Sequence, residues 1–222
     1  MYYYELALLK SPLNNLTFQS EKKIILGKKV LIKLKQRKNL DEAVVIKEVE
    51  KPTFKCSDIV EITNEYFDEK MQQIASFVSQ YYVCSLGEAL SVYIPFDKNI
   101  NPIFNEEKFD SKIVLSAQQE KAKEFLKDKK QALLFADTGA GKTEVYIKII
   151  EEHLNANKQA ILLMPEISLT PQMQKRLEKV FGKSIAIWHS KITKKKKEEI
   201  LKGLQEGSIR LIAGARSALF LP

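Results

Sequence analysis

Cysteine is scarce in this 222-residue chain: Cys56 and Cys84 are the two present, with neither a CxxC spacing nor a histidine beside them. That excludes a disulfide framework and a four-ligand zinc site, and leaves both as reduced, structural thiols. No apolar run approaches the ~20 residues needed to cross a bilayer, because Lys, Glu or Asn interrupts each one. The start, Met1-Tyr2-Tyr3-Tyr4-Glu5, lacks the basic and apolar regions of a secretory leader, so the expectation is a cytoplasmic protein with no membrane contact. Acidic residues are outnumbered, 28 Asp+Glu against 36 Lys+Arg, for a net charge of +8. The excess is lopsided: residues 1–110 carry −1 and residues 111–222 carry +9. Such a balance admits a polyanionic partner without naming one. What the chain does have is 45% hydrophobic residues, enough for a buried core and against wholesale disorder.

Two kinds of periodicity divide the chain. The first ~65 residues read as short strands, each a short run of alternating or apolar residues. Tyr2–Leu9, Lys29–Lys35 (apolar alternating with basic), Asp41–Val49 and Asp58–Thr63 are the strand candidates. A helix over Asp68–Tyr82 closes this unit, with Met71, Ile74, Ala75, Phe77, Val78 and Tyr81 at helical spacing. Pro95 to Lys112, with two prolines and three asparagines, reads as a linker. Beyond it strands and helices alternate at ~25-residue intervals, the pattern of a parallel α/β sheet. Helices are expected at Ser116–Lys130, Thr143–Leu154, Thr170–Phe181 and Thr193–Gln205, and strands at Gln131–Ala136, Gln159–Met164, Ser184–Trp188 and Ile209–Ala213.

Ala136-Asp137-Thr138-Gly139-Ala140-Gly141-Lys142-Thr143 is a P-loop with Ala in place of the first Gly, set between an expected strand and an expected helix. Gly139 and Gly141 let the backbone curl so that its N–H groups aim at phosphate oxygens, and the helix N-terminus adds partial positive charge there. Lys142 brings a full charge to the β- and γ-phosphates, and the Thr143 hydroxyl is the expected Mg²⁺ ligand, so ATP and Mg²⁺ are the expected cofactors.

Several further segments occur in a fixed order around that loop. They are Leu115-Ser-Ala-Gln-Gln119, Glu144-Val-Tyr146, Leu163-Met-Pro-Glu-Ile-Ser-Leu-Thr-Pro-Gln172, Trp188-His-Ser190 and Gly214-Ala-Arg-Ser-Ala-Leu-Phe220. Together they resemble the first RecA-like lobe of the PriA family, the superfamily 2 DNA helicases (primosomal protein N′) that restart stalled replication forks. The N-terminal unit is similar, less densely, to that family's 3′-end DNA-binding domain through Thr17-Phe18, Gly27-x-x-Val30-x-Ile32 and Tyr81-Tyr82-x-x-x-Leu86-Gly-Glu-Ala-Leu90.

The resemblance implies an α/β architecture: a small β-rich DNA-binding domain (1–94), a linker (95–112) and a RecA-like parallel-sheet lobe (113–222). It implies an ATP-binding set of Gln119, Asp137, Thr138, Gly139, Ala140, Gly141, Lys142, Thr143 and Glu144, with Lys142 and Thr143 in the catalytic roles. Gln119 resembles the adenine-reading glutamine, with a solvated helix glutamine as the other reading. Pro165 and Glu166 resemble the loop that touches a single strand, against an ordinary strand–helix loop. Arg216 and Ser217 resemble a second such contact, where Ala215 replaces a threonine. Phe18 is placed to stack on a terminal base, and Lys33, Lys35 and Arg37 belong to a run of eight basic residues between Lys22 and Lys38 that contains no acidic one. That run is either a phosphate track or a basic soluble face. Gln19, Ser20 and Lys35 depart from the family's pattern at the 3′-hydroxyl pocket. His189 reads as a packed or capping residue and Lys194–Lys197 as a solvated helix face.

The same resemblance implies groups this sequence does not contain: a winged-helix domain, an Asp-Glu-Glu-His segment after Phe220, a second lobe with an arginine finger, and a cysteine-rich zinc insertion. The chain is therefore expected to be a piece of a longer protein, to supply no zinc ligands, and to bind branched or single-stranded DNA and ATP without efficient hydrolysis. Primosome and replication proteins are the implied partners. A non-enzymatic DNA-binding module and an unrelated P-loop NTPase stand as alternatives.

Overall fold

Alternation in Tyr2–Leu8 (β1) sends Tyr4, Leu6 and Leu8 to one side, where each is at most 1% exposed. Around them the computed structural model, which describes residues 1–14, 16–35, 37–97, 103, 108–165 and 170–222, builds a small β-barrel. Its other strands are Leu16–Ser20 (β2), Lys28–Ile32 (β3), Asp41–Val49 (β4) and Ser57–Tyr66 (β5). The order is β2-β1-β4-β3-β5, and a parallel β2–β5 pairing at Phe18↔Ser57 and Gln19↔Asp58 closes the ring. Phe96–Asp97 (β6) extends β5. The interior holds Tyr4, Leu6, Leu8, Phe18, Ile24, Val30, Ile32, Ala43 and Val45, and the buried Tyr4 hydroxyl accepts the Ile24 N–H at 2.8 Å. Gly27 has φ +84°, and a Cβ there would lie 2.2 Å from the Phe67 carbonyl oxygen, so only glycine fits this turn.

Asp68 caps Glu69–Tyr82 (α1), its carboxylate accepting the Met71 N–H at 2.7 Å. Met71 and Ala75 are buried against a second cluster that includes Ala7, Val44, Phe67 and Leu90. Of the apolar positions at helical spacing, Ile74, Phe77 and Tyr81 are exposed, because positions 71, 75 and 78 form one helical face and 74, 77 and 81 another. Leu86–Leu90 (α2), not foreseen from the sequence, opens on a Ser85/Glu88 capping box.

The chain divides into two units, Met1–Asn101 with Phe220–Pro222, and Pro102–Leu219. The expected linker falls partly on residues 98–102 and 104–107, which lie outside the described residues. On its described flanks Phe96–Asp97 is paired in the sheet and Phe109 is a core residue of the second unit, its backbone N–H donating to Asn155 Oδ1 at 2.8 Å.

The second unit has three parallel strands in the order β7-β9-β8: Ala160–Leu163 (β7), Ile185–Trp188 (β8) and Leu211–Gly214 (β9). Central β9 is buried throughout, as a strand covered on both faces must be. The helices are Ala117–Lys127 (α3), Lys142–Asn155 (α4), Pro171–Phe181 (α5) and Lys194–Glu206 (α6). Ile147, Leu154, Leu177, Phe181 and Leu211, all fully buried, form the core with Phe109. One expectation fails here: Gln131–Ala136 forms no strand. A strand exists only on a ladder, and neither edge strand, β7 or β8, pairs with this segment, so Leu133 and Phe135 stand 87% and 90% exposed. Among the described residues no helix is long and apolar enough to cross a membrane.

Candidate nucleotide loop and nucleic-acid interface

The loop ahead of α4 has the backbone that its glycines allow. Gly139 has φ +86° and Gly141 φ +77°, both left-handed, and a Cβ at Gly139 would meet nothing within 4 Å. Gly141 is the N-cap of α4 and supplies no side-chain cap, while within the first turn the Glu144 carboxylate accepts its own backbone N–H. This uncapped, positively biased terminus fits a phosphate. Lys142 Nζ donates to the carbonyls of Ala136 at 2.7 Å and Asp137 at 2.9 Å, so the lysine folds over its own loop. Asp137, Thr138 and Ala140 are exposed on that loop, and Thr143 is half-buried in the first turn of α4.

Gln119 sits beside them, but its amide is already engaged. Its Oε1 accepts the Ser116 N–H at 2.7 Å in the capping box of α3, and its Nε2 donates to the Gly141 carbonyl at 3.2 Å. Gln118, Gln119, Phe135, Ala136 and Lys142 are among the residues lining a cavity of ≈ 210 Å³ at this place. Glu144 reaches toward α5, where Arg176 Nη2 meets its Oε1 at 2.5 Å, while its Oε2 stays beside Gly141. The Arg176 guanidinium, opposed in part by burial, holds the Glu144 carboxyl below its ordinary value. The pair's contribution is therefore present above the ordinary glutamate range and is lost as pH falls through the lowered value.

At the carboxyl ends of β7, β8 and β9 a wider cavity of ≈ 780 Å³ is lined by Met164, Pro165, Ser190, Arg216 and Ser217, among others. This is the edge where parallel sheets place binding loops. Pro165, Arg216 and Ser217 are all exposed there, whereas Glu166 lies outside the described residues. His189 Nδ1 accepts the Lys191 N–H at 3.2 Å, a capping geometry. Lys194 and Lys196 on α6 pair with Glu198 and Glu199, and Lys197 lies 5.8 Å over the Trp188 ring.

In the first unit two expectations change. Phe18 is 5% exposed inside the barrel, because the single inward position of β2 falls on it, so no ring face is offered to a base. The basic run is also less free than its composition suggests. Lys29 pairs with Glu42 at 2.7 Å and with Glu65; burial opposes its charge, but the two carboxylates hold its ammonium above the ordinary lysine value. Arg37 pairs with Asp41, and Lys33 donates to the Lys38 carbonyl. Lys33 and Lys35 remain exposed positive charges. Gln19 donates to Asp58 Oδ1 at 2.9 Å. Among the described residues no group of three or more His, Cys, Asp or Glu side chains is placed to hold a metal. Arg176 is the side chain at the nucleotide loop that sequence reading missed; 32 residues separate it from Glu144, and no local spacing signals the pair.

Comparison with known proteins agrees with this arrangement. Residues 9–95 match the 3′DNA-binding domain (3′BD) model and residues 116–221 the DEAD/DEAH box helicase model. The replication restart protein PriA of Helicobacter pylori is 39% identical over 229 residues, covering all of this chain and 35% of that protein. The PriA of Rickettsia felis is 36% identical over 68% of the chain and 24% of its own length. That of Bacillus subtilis is 46% identical over 40% of the chain and 11% of its own length. The chain spans about a third of the length of the first of these relatives. With a barrel that matches the 3′BD model followed by a parallel-sheet unit that matches the helicase model, the chain belongs to the PriA family of replication restart proteins.

Proposed function

We propose that this chain is the nucleotide- and DNA-binding part of an ATP-dependent 3′–5′ DNA helicase that recognises branched or stalled replication forks and supports primosome assembly there. The observation that carries this reading is the placement of two sites on one parallel-sheet unit. One is the uncapped, left-handed turn at Gly139–Gly141; the other is the exposed edge with Pro165, Arg216 and Ser217. ATP with Mg²⁺ would supply a triphosphate whose binding and loss can drive movement along a strand. Lys142 would leave its own loop carbonyls to bind the β- and γ-oxygens, the α4 N–H groups would cradle them, and Thr143 would offer its hydroxyl to the metal. Arg216 and Ser217 would hold the strand by its phosphates, which positions without reading sequence. Among the described residues at the ends of β7, β8 and β9 there is no acidic pair to orient metal and water, and the 222 residues alone are expected to bind ATP without efficient turnover.

Arg216→Ala tests the strand-gripping edge. In anisotropy titrations with labelled oligo(dT), affinity is expected to fall about 5–10-fold, with the slope against log salt reduced by about 0.7. An unchanged slope would remove Arg216 from the interface. A second reading, a DNA-binding module whose P-loop is only structural, is favoured by one observation: Lys142 and Gln119 are both engaged with the loop's own carbonyls.

A further inference from the structure

Glu144 is placed to touch two things at once. Its Oε1 takes the Arg176 guanidinium, while its Oε2 lies against the phosphate loop, 3.1 Å from where a Cβ on Gly141 would sit. Arg176 is the central residue of α5, beside the buried face that anchors the helix. Leu177 and Phe181 are fully buried there, whereas Pro171 and Gln172 at its start are exposed. Thr170 caps α5, its hydroxyl accepting the Met173 N–H at 3.3 Å, and Pro165, earlier in the sequence, lines the strand-gripping cavity. The ion pair thus spans the first turn of the nucleotide-loop helix and the element that follows the strand contact, with both partners part-exposed at 30% and 41%.

Electrostatics makes this connection responsive. A triphosphate bound at the α4 N-terminus brings several negative charges close to the Glu144 carboxylate, and like charges at such distances repel strongly in a partly desolvated site. The carboxylate then depends on the Arg176 charge for compensation, or turns away from the loop and shifts its partner. In either case the hold on α5 differs between the empty and occupied loop. We propose that Arg176 is a positioning residue that couples nucleotide occupancy of the Gly139–Thr143 loop to the strand grip at Pro165, Arg216 and Ser217 through its ion pair with Glu144. This rests on the function proposed above, since it needs both ligands to bind.

The test is linkage measured on the 222-residue chain itself. Oligo(dT) affinity is titrated with and without Mg–ATPγS for the parent, Arg176→Gln and Arg176→Lys. The parent's DNA affinity is expected to change about fivefold on adding nucleotide, within the usual range of coupling between sites. Arg176→Gln is expected to bind DNA alone as the parent does, but to show less than about a twofold response to nucleotide. Arg176→Lys, which keeps the charge, retains most of the response. A side chain so exposed leaves folding intact, checked by an unchanged thermal midpoint. The proposal is overturned if Arg176→Gln keeps the fivefold response, if Arg176→Lys loses it equally, or if the parent binds both ligands without linkage. A parent that binds neither ligand refutes the function proposed above, and the coupling falls with it.

Discussion

Replacing Phe18 by alanine is expected to destabilise the first unit by about 3–5 kcal/mol, the usual range for removing a buried phenylalanine from a core. The ring is 5% exposed among Tyr4, Leu6, Val30 and Ile32, and the barrel closes at this position, where Phe18 stands opposite Ser57 in the parallel β2–β5 pairing. Losing it removes apolar burial and opens a cavity beside the seam. Denaturant unfolding followed by far-ultraviolet circular dichroism measures the loss. The one tryptophan, Trp188, lies on β8, so its emission reports the second unit separately. A stacking role for Phe18 predicts the opposite pattern: little change in stability and a selective loss of affinity for a 3′ terminus.

Lys142→Ala is expected to weaken binding of Mg–ATPγS by at least about tenfold, because a charge-assisted contact to phosphate contributes roughly 1.5–3 kcal/mol. DNA affinity measured without nucleotide should be unchanged, since Arg216 and Ser217 line a different cavity from Lys142. Lys142 spans only the carbonyls of Ala136 and Asp137 in the empty loop, both at part-exposed positions, so the stability change should be small. Fluorescent-nucleotide displacement separates the two sites. If the variant binds nucleotide as the parent does, the loop is structural and the DNA-binding-module reading replaces the motor reading.

How much of this was legible in the sequence follows from the range of the interactions. The P-loop and its helix are encoded within eight consecutive residues, and Thr170-Pro171 or Thr193 announce their helices by local capping chemistry. Pairing is not local. Gln131–Ala136 has a strand's composition but forms none, because strand identity depends on a neighbour that the hexapeptide does not specify. β2 was overlooked for the converse reason: five residues beside Pro12 and Asn14 carry little pattern, and only pairing with β1 and β5 makes them a strand. Once β2 exists, its pleat puts Phe18 inside, which overturns the stacking expected of an aromatic residue in a polar stretch. The basic run misled similarly. Lys29 is matched by Glu42 and Glu65 from neighbouring strands, and only the cross-strand registers reveal it. The Glu144–Arg176 pair joins two helices whose packing no spacing announces.

Hydrogen–deuterium exchange on the whole chain, with and without Mg–ATPγS and oligo(dT), tests the two-site account most directly. The account predicts that nucleotide slows exchange in the loop and first turn from Ala136 to Val145, and that oligo(dT) slows it at Met164 and at Ala215–Ser217. No slowing at Gly139–Thr143 under saturating nucleotide, or none at Ala215–Ser217 under saturating oligo(dT), would contradict it.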